Sequence, residues 1–154
     1  MAPTPTERLA ALRLELPPPP SPAGTYAPVV VHEGWAWVSG QIVTEGGAVV
    51  HPGRVDADVP KEAATALARR GTLQALSALR AALGSLDRVR RFVRVTVYVA
   101  SSAGFDRQHE VANGATELLV ELFGEAGRPA RVAIGVAGLP RNAPVEIDFL
   151  AAVD

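Results

Sequence analysis

The sequence predicts an α/β (α+β) domain in which one mixed, twisted β-sheet carries two long helices on one face. Two stretches, 61–83 and 106–123, place apolar residues at helical spacing. The run "RRFVRVTVYVAS" at residues 90–101 alternates at period two, as a central strand does. Shorter strand-like runs precede, separate and follow these segments, giving the order β-β-β-α-β-α-β-β. A single sheet under one helical layer is the economical packing of that order. With 154 residues the chain has the length of one domain, enough to bury roughly two thirds of its unfolded surface.

The N-terminal segment "TERLAALRLEL" has Leu9, Leu12 and Leu16 at helical spacing and predicts a short helix opening at Thr4 or Thr6. Pro17 to Pro20 then end it, because consecutive prolines remove amide donors and impose extended polyproline geometry. Residues 1–23 therefore read as a helix and polyproline extension, and 24–154 as a single domain. The polyproline run serves as a stiff connector or, alternatively, as a PxxP ligand. Two short strands flank His32–Gly34, Trp35 and Trp37 share one side of the second, and "EGGAVV" adds a turn and a further strand.

The long helix over Lys61–Leu83 closes at Gly84, and a second runs from about Asp106 to Phe123 and closes at Gly124. In the strand between them, Val93, Val95, Val97 and Val99 face one way and Phe92, Arg94, Thr96 and Tyr98 the other. The final stretch, "RPARVAIGVAGLPRNAPVEIDFL", reads as two strands forming a hairpin. Pairing Val132, Ile134 and Val136 with Val145, Ile147 and Phe149 leaves Arg131 and Glu146 together on the opposite face. Between them lies a row of small residues, Ala133 and Gly135, as the floor of a cleft. With Gly135 opposite Glu146 the two charges stand roughly 13 Å apart. Each then needs a partner elsewhere: an ion-pairing group of another strand or subunit, or a ligand.

Composition excludes several function classes. Hydrophobic residues make up 48% and charged residues 20%, which fits a globular chain; aromatics at 5% leave the core to Val, Leu, Ala and Ile. Fifteen basic against 16 acidic residues give a formal charge of −1, so there is no broad positive field for nucleic acid. The basic run "RVRRFVR" reads as a helix-to-strand joint. With no cysteine there are no disulfides, thiolate nucleophiles or thiolate metal sites, and a reducing, cytoplasmic setting is compatible. Neither a signal peptide nor a membrane span is read. No phosphate loop, dinucleotide fingerprint, GxSxG elbow or HExxH is present, and His32, His51 and His109 fall on separate elements, so no metal site is expected. Arg131 and Glu146 remain: a guanidinium grips carboxylates in two-pronged fashion, and a glutamate near apolar surface exchanges protons near neutrality.

"VSGQI" at 38–42, "GSLDRVRRFVRVTVYVAS" at 84–101, "VANGATELLVELFGEAGRPAR" at 111–131 and "LPRNAPVEIDF" at 139–149 together resemble the RidA/YjgF family of reactive-imine deaminases, also labelled endoribonuclease L-PSP. The likeness covers residues 24–154 and is greatest to the branch carrying "VANGA" and "LPRNAPVE". It implies a chorismate-mutase-like fold, a homotrimer and a small carboxylate-bearing molecule bound in each intersubunit cleft, with no cofactor; the composition adds no nucleic-acid partner and no membrane. The implied reaction is hydrolysis of 2-imino or 2-enamino acids to 2-oxo acids and ammonia. Arg131 matches the residue that holds the substrate carboxylate and Glu146 the one that positions water. Tyr26, Ser39 with Gly40, and Asn113 match the substrate-binding positions. Ala133 stands where typical deaminases have a cysteine. The N-terminal extension, absent from compact members, covers an edge or the mouth of a cleft.

On the residues alone, Tyr26 reads equally as an interface tyrosine, Ser39–Gly40 as a bulge or turn, and Asn113 as an interface residue. Two further functions compete with the deaminase: a non-catalytic carboxylate-binding protein using the same clefts and, with less support, an endoribonuclease.

Overall fold

The structure, a computed structural model, describes residues 2–154. A short helix α1 (Pro5–Ala11) opens at Thr4, whose side chain and that of Glu7 cap each other's backbone amides. Strands β1 (Val29–His32) and β2 (Trp35–Ile42) form a hairpin across Glu33–Gly34, both at positive φ as a tight hairpin turn requires. A small second hairpin joins β3 (Thr44–Glu45) to β4 (Ala48–Val49). Then follow α2 (Lys61–Leu83), β5 (Val89–Ala100), α3 (Gln108–Phe123), β6 (Ala130–Val136) and β7 (Val145–Val153). The mixed α+β class is as expected, and α2 has the predicted bounds; α3 begins two residues later than Asp106.

The main sheet has the order β1-β2-β7-β5-β6. The predicted β6–β7 hairpin does not form. Chain passing through α3 returns β6 parallel to β5, as helical crossovers do. β7 then runs antiparallel between β5 and β2, so β5 separates the two strands. This reverses the expected faces of β6. Arg131, Ala133 and Gly135 pair with Val95, Val97 and Val99, which are fully buried under the helices, so the small row lies on the helix-covered face and is no cleft floor beside Glu146. Val132, Ile134 and Val136 face the uncovered side instead.

Phe92 also departs from its expected face. A register shift between Phe92 and Arg94 inserts a bulge. Phe92 thereby turns onto the core side, fully buried, with its ring edge-on to Phe123 at 4.8 Å and Phe149 at 5.1 Å. The core lies between this face and the α2–α3 layer, where Leu76, Leu79, Leu118, Leu119 and Leu122 are wholly buried. The other face is uncovered. Val30, Trp35, Trp37 and Ile134 remain 40–51% exposed there, an apolar expanse unusual on a face meeting only water.

Candidate functional site

Two half-sites occupy opposite faces of the sheet. On the helix-covered side, edge strand β6 aims Arg131 along α3. Its guanidinium donates to Asn113 Oδ1 (2.8 Å), Thr116 Oγ1 (3.0 Å) and the His109 carbonyl (3.3 Å). Asn113 and Thr116 are three residues apart, one helical turn, so both present oxygens to the same spot. All three acceptors are neutral. The arginine is thus oriented while its charge keeps no carboxylate partner in these bonds. A groove of about 550 Å³ opens beside it, lined by Thr116, Val120, Pro129 and Arg131 among others, including Glu117 and Glu121, the second of which pairs with Arg69. Ala133, two residues on, faces the same side and packs against the core.

Glu146 sits on the uncovered face, paired with Tyr98 of β5 and Ile42 of β2. Ser39 and Gly40 form a bulge between Val38 and Gln41, and this brings Gly40 directly against the carboxyl. A Cβ on Gly40 would lie 2.1 Å from Glu146 Oε1, so only glycine leaves room for the side chain as it stands. The Ser39 hydroxyl donates to the Ala27 carbonyl (2.7 Å), tying down the segment that carries Tyr26. The Tyr26 hydroxyl accepts from the Ala23 amide (3.2 Å). Tyr26, Gly40 and Glu146 share a cavity of about 700 Å³.

Burial, and then the neighbouring Asp148, push the Glu146 carboxyl above its ordinary range. The Tyr98 hydroxyl donates to Asp148 (2.8 Å), and that bond, with burial, raises the Tyr98 pKa in turn. A raised carboxyl binds its proton more tightly folded than unfolded. Stability therefore falls as pH rises from the ordinary value of 4.5 through the raised folded one. Glu146→Gln is expected to raise Tm by about 2 °C at pH 7.5 and to leave it unchanged at pH 3.5, measured by calorimetry.

Sequence reasoning named Arg131 and Asn113 separately, and the structure joins them; it also joins Glu146 to Gly40 and Tyr26. It does not join Arg131 to Glu146, because Val95 and Tyr98, their respective partners on β5, point to opposite faces. Thr116, the His109 carbonyl, Tyr98 and Asp148 were missed as site residues. The available signals were helical spacing from Asn113 and period-two spacing from Glu146. Among the described residues no group of three or more His, Cys, Asp or Glu is placed to hold a metal, and no helix is long and apolar enough to cross a membrane.

Comparison with known proteins agrees with this fold. Protein TCP17 of Trypanosoma cruzi is 42% identical over 143 residues, 92% of this chain and 89% of its own. The structure of Atu1372 from Agrobacterium tumefaciens, a protein of unknown function, superposes with a TM-score of 0.86 at 38% identity, over 96% of this chain and 90% of that one. A Shewanella oneidensis protein proposed to be an endoribonuclease superposes with a TM-score of 0.92 at 30% identity, over 97% and 99% of the respective chains. The family model for endoribonuclease L-PSP matches residues 18–153. The chain belongs to the endoribonuclease L-PSP family, the RidA/YjgF family that its motifs resemble.

Proposed function

We propose that the protein hydrolyses small 2-imino and 2-enamino acids to 2-oxo acids and ammonia, in clefts that a homotrimer forms between neighbouring copies. The observation that carries this reading is Arg131: a guanidinium oriented by three neutral acceptors, with no carboxylate among them, beside an open groove. Such a group is set up to take a carboxylate from outside the chain. The uncovered apolar face and the exposed edge strand β6 support association, and cyclic symmetry brings one copy's Arg131 edge to the next copy's Glu146 face.

In that cleft Arg131 anchors the substrate carboxylate and Glu146, its proton affinity raised, exchanges protons with water. The water oxygen bonds to the imine carbon, the C=N π pair moves to nitrogen, and nitrogen takes up a proton. The resulting carbinolamine loses its C–N bond as its hydroxyl proton passes to the departing nitrogen and the carbonyl forms. Ammonia carries away the nitrogen, and the 2-oxo acid remains. No redox change occurs, and the reaction draws on no cofactor. The absence of cysteine accords with a cytoplasmic setting.

The test generates the imine in situ with an amino-acid oxidase and follows 2-oxo acid release. Wild-type protein is expected to accelerate release, and Arg131→Ala to lower kcat/KM by about 100-fold, the usual cost of removing one charged anchor of the reacting group. No acceleration by wild type on small or bulky imines would replace the enzymatic reading with that of a carboxylate-binding protein. The near-neutral charge and the lack of a basic stripe give RNA cleavage no comparable support.

A further inference from the structure

We propose that the N-terminal strap, residues 4–24, is the specificity wall of the Glu146 cavity and selects acids bearing a bulky apolar side chain. The inference takes its ligand class, a 2-imino or 2-oxo acid, from the reading above.

The strap is fastened along its length. Leu9 of α1 is buried, and the Thr6 amide and hydroxyl both donate to Asp87 Oδ1 (3.0 and 2.9 Å) in the turn that precedes β5. Leu14 and Leu16 pack against the core. Ser77, buried on α2, donates its hydroxyl to the Pro17 carbonyl, fixing the point where the prolines begin. From there Pro17, Pro18, Pro20 and Pro22 run along the cavity that holds Glu146. Prolines offer no amide donors and few conformations, so this wall is apolar and already in place before a ligand arrives.

The remaining lining argues for the class of side chain. About 700 Å³ is within the usual range for a small-molecule site, and a three-carbon acid leaves most of it to water. One charge at the rim is paired, and the other is held by a neutral carbonyl. Glu45 pairs with Arg70, and Arg141 donates to the Gly47 carbonyl, which holds the β3–β4 hairpin opposite the prolines. Along residues 17–24 of the strap, and on through Tyr26 and Pro28, the lining carries no ionised group to meet a charged side chain. Branched aliphatic or aromatic groups fill the space and displace that water; a second carboxylate gains nothing from the strap.

Calorimetric titration of the full chain with pyruvate, 4-methyl-2-oxopentanoate and 2-oxoglutarate tests this without requiring turnover. Wild type is expected to bind 4-methyl-2-oxopentanoate at least tenfold more tightly than either other acid. Ala23→Trp, which fills the cavity from the strap, and Pro20→Gly/Pro22→Gly, which loosens the wall, each reduce that ratio below threefold. Pyruvate affinity stays within twofold, and thermal melting confirms that both variants are folded. The idea is overturned if wild type binds none of the acids, if the three bind alike, if 2-oxoglutarate wins, or if a folded variant keeps the wild-type ratio. Turnover failing while the binding preference holds sinks the deaminase reading and leaves this one. Turnover of imines with no side-chain preference in binding sinks this one alone.

Discussion

Arg131→Ala and Glu146→Gln chains, each below about 1% of wild-type deaminase activity alone, are expected to recover about one quarter of it when co-refolded in equal amounts. Arg131 pairs with buried Val95 on the helix-covered face, and Glu146 pairs with Tyr98 on the uncovered one. No movement of a side chain carries either group through the sheet. A shared cleft therefore needs Arg131 from one copy and Glu146 from the next. In a random mixture, half of the chains offer an intact Arg131, and half of their neighbours offer an intact Glu146. One interface in four is then complete. If both residues acted within one chain, every chain in the mixture would lack one of them, and activity would stay at the level of the parents. That outcome ends the intersubunit cleft as an account of the site. The same experiment with Arg131→Ala and Asn113→Ala gives a built-in contrast. These two residues touch within one chain at 2.8 Å, so no chain in the mixture holds the full clamp: one variant lacks the guanidinium and the other lacks the Asn113 oxygen.

How the sequence disclosed these elements differs from how it disclosed their faces. Period-two alternation in β5 and the helical stripe of α2 depend on neighbours a few residues away, and both elements appear where they were expected. Periodicity says which residues of a strand share a side, but not which side is covered. That depends on strand order, and in β6 the order set by the α3 crossover put Arg131 and Ala133 under the helices rather than beside Glu146. Bulges defeat even the shared-side rule. One residue of slip turned Phe92 into the core, and the Ser39–Gly40 bulge pressed Gly40 against Glu146. The Arg131–Thr116 and Tyr98–Asp148 hydrogen bonds span 15 and 50 residues and become visible only once the chain is folded.

Gly114→Ala is expected to lower Tm by roughly 5 °C or more and, in the same protein, to lower kcat/KM about tenfold. Gly114 lies at a close approach of α3 to α2: an added Cβ would sit 2.0 Å from the Thr65 carbonyl oxygen and 3.0 Å from its carbon. That oxygen belongs to the backbone of α2, so no rotamer change relieves the contact. Alanine's higher helix propensity contributes about 1 kcal/mol in the opposite direction, which an overpacked helix crossing outweighs. Relief comes by moving α3 away from α2. Its neighbour Asn113 and, one turn on, Thr116 move with it, and both hold Arg131. Stability and carboxylate binding therefore fall together, the second as a rise in KM. Gly138→Ala is the control, since a Cβ there meets nothing within 4 Å and Tm should shift by less than about 1 °C. An unchanged Tm for Gly114→Ala would mean that the helices slide past the added methyl at no cost. A lowered Tm with unchanged KM would mean that Arg131 keeps its orientation from β6 alone, and that the α3 oxygens contribute only to folding.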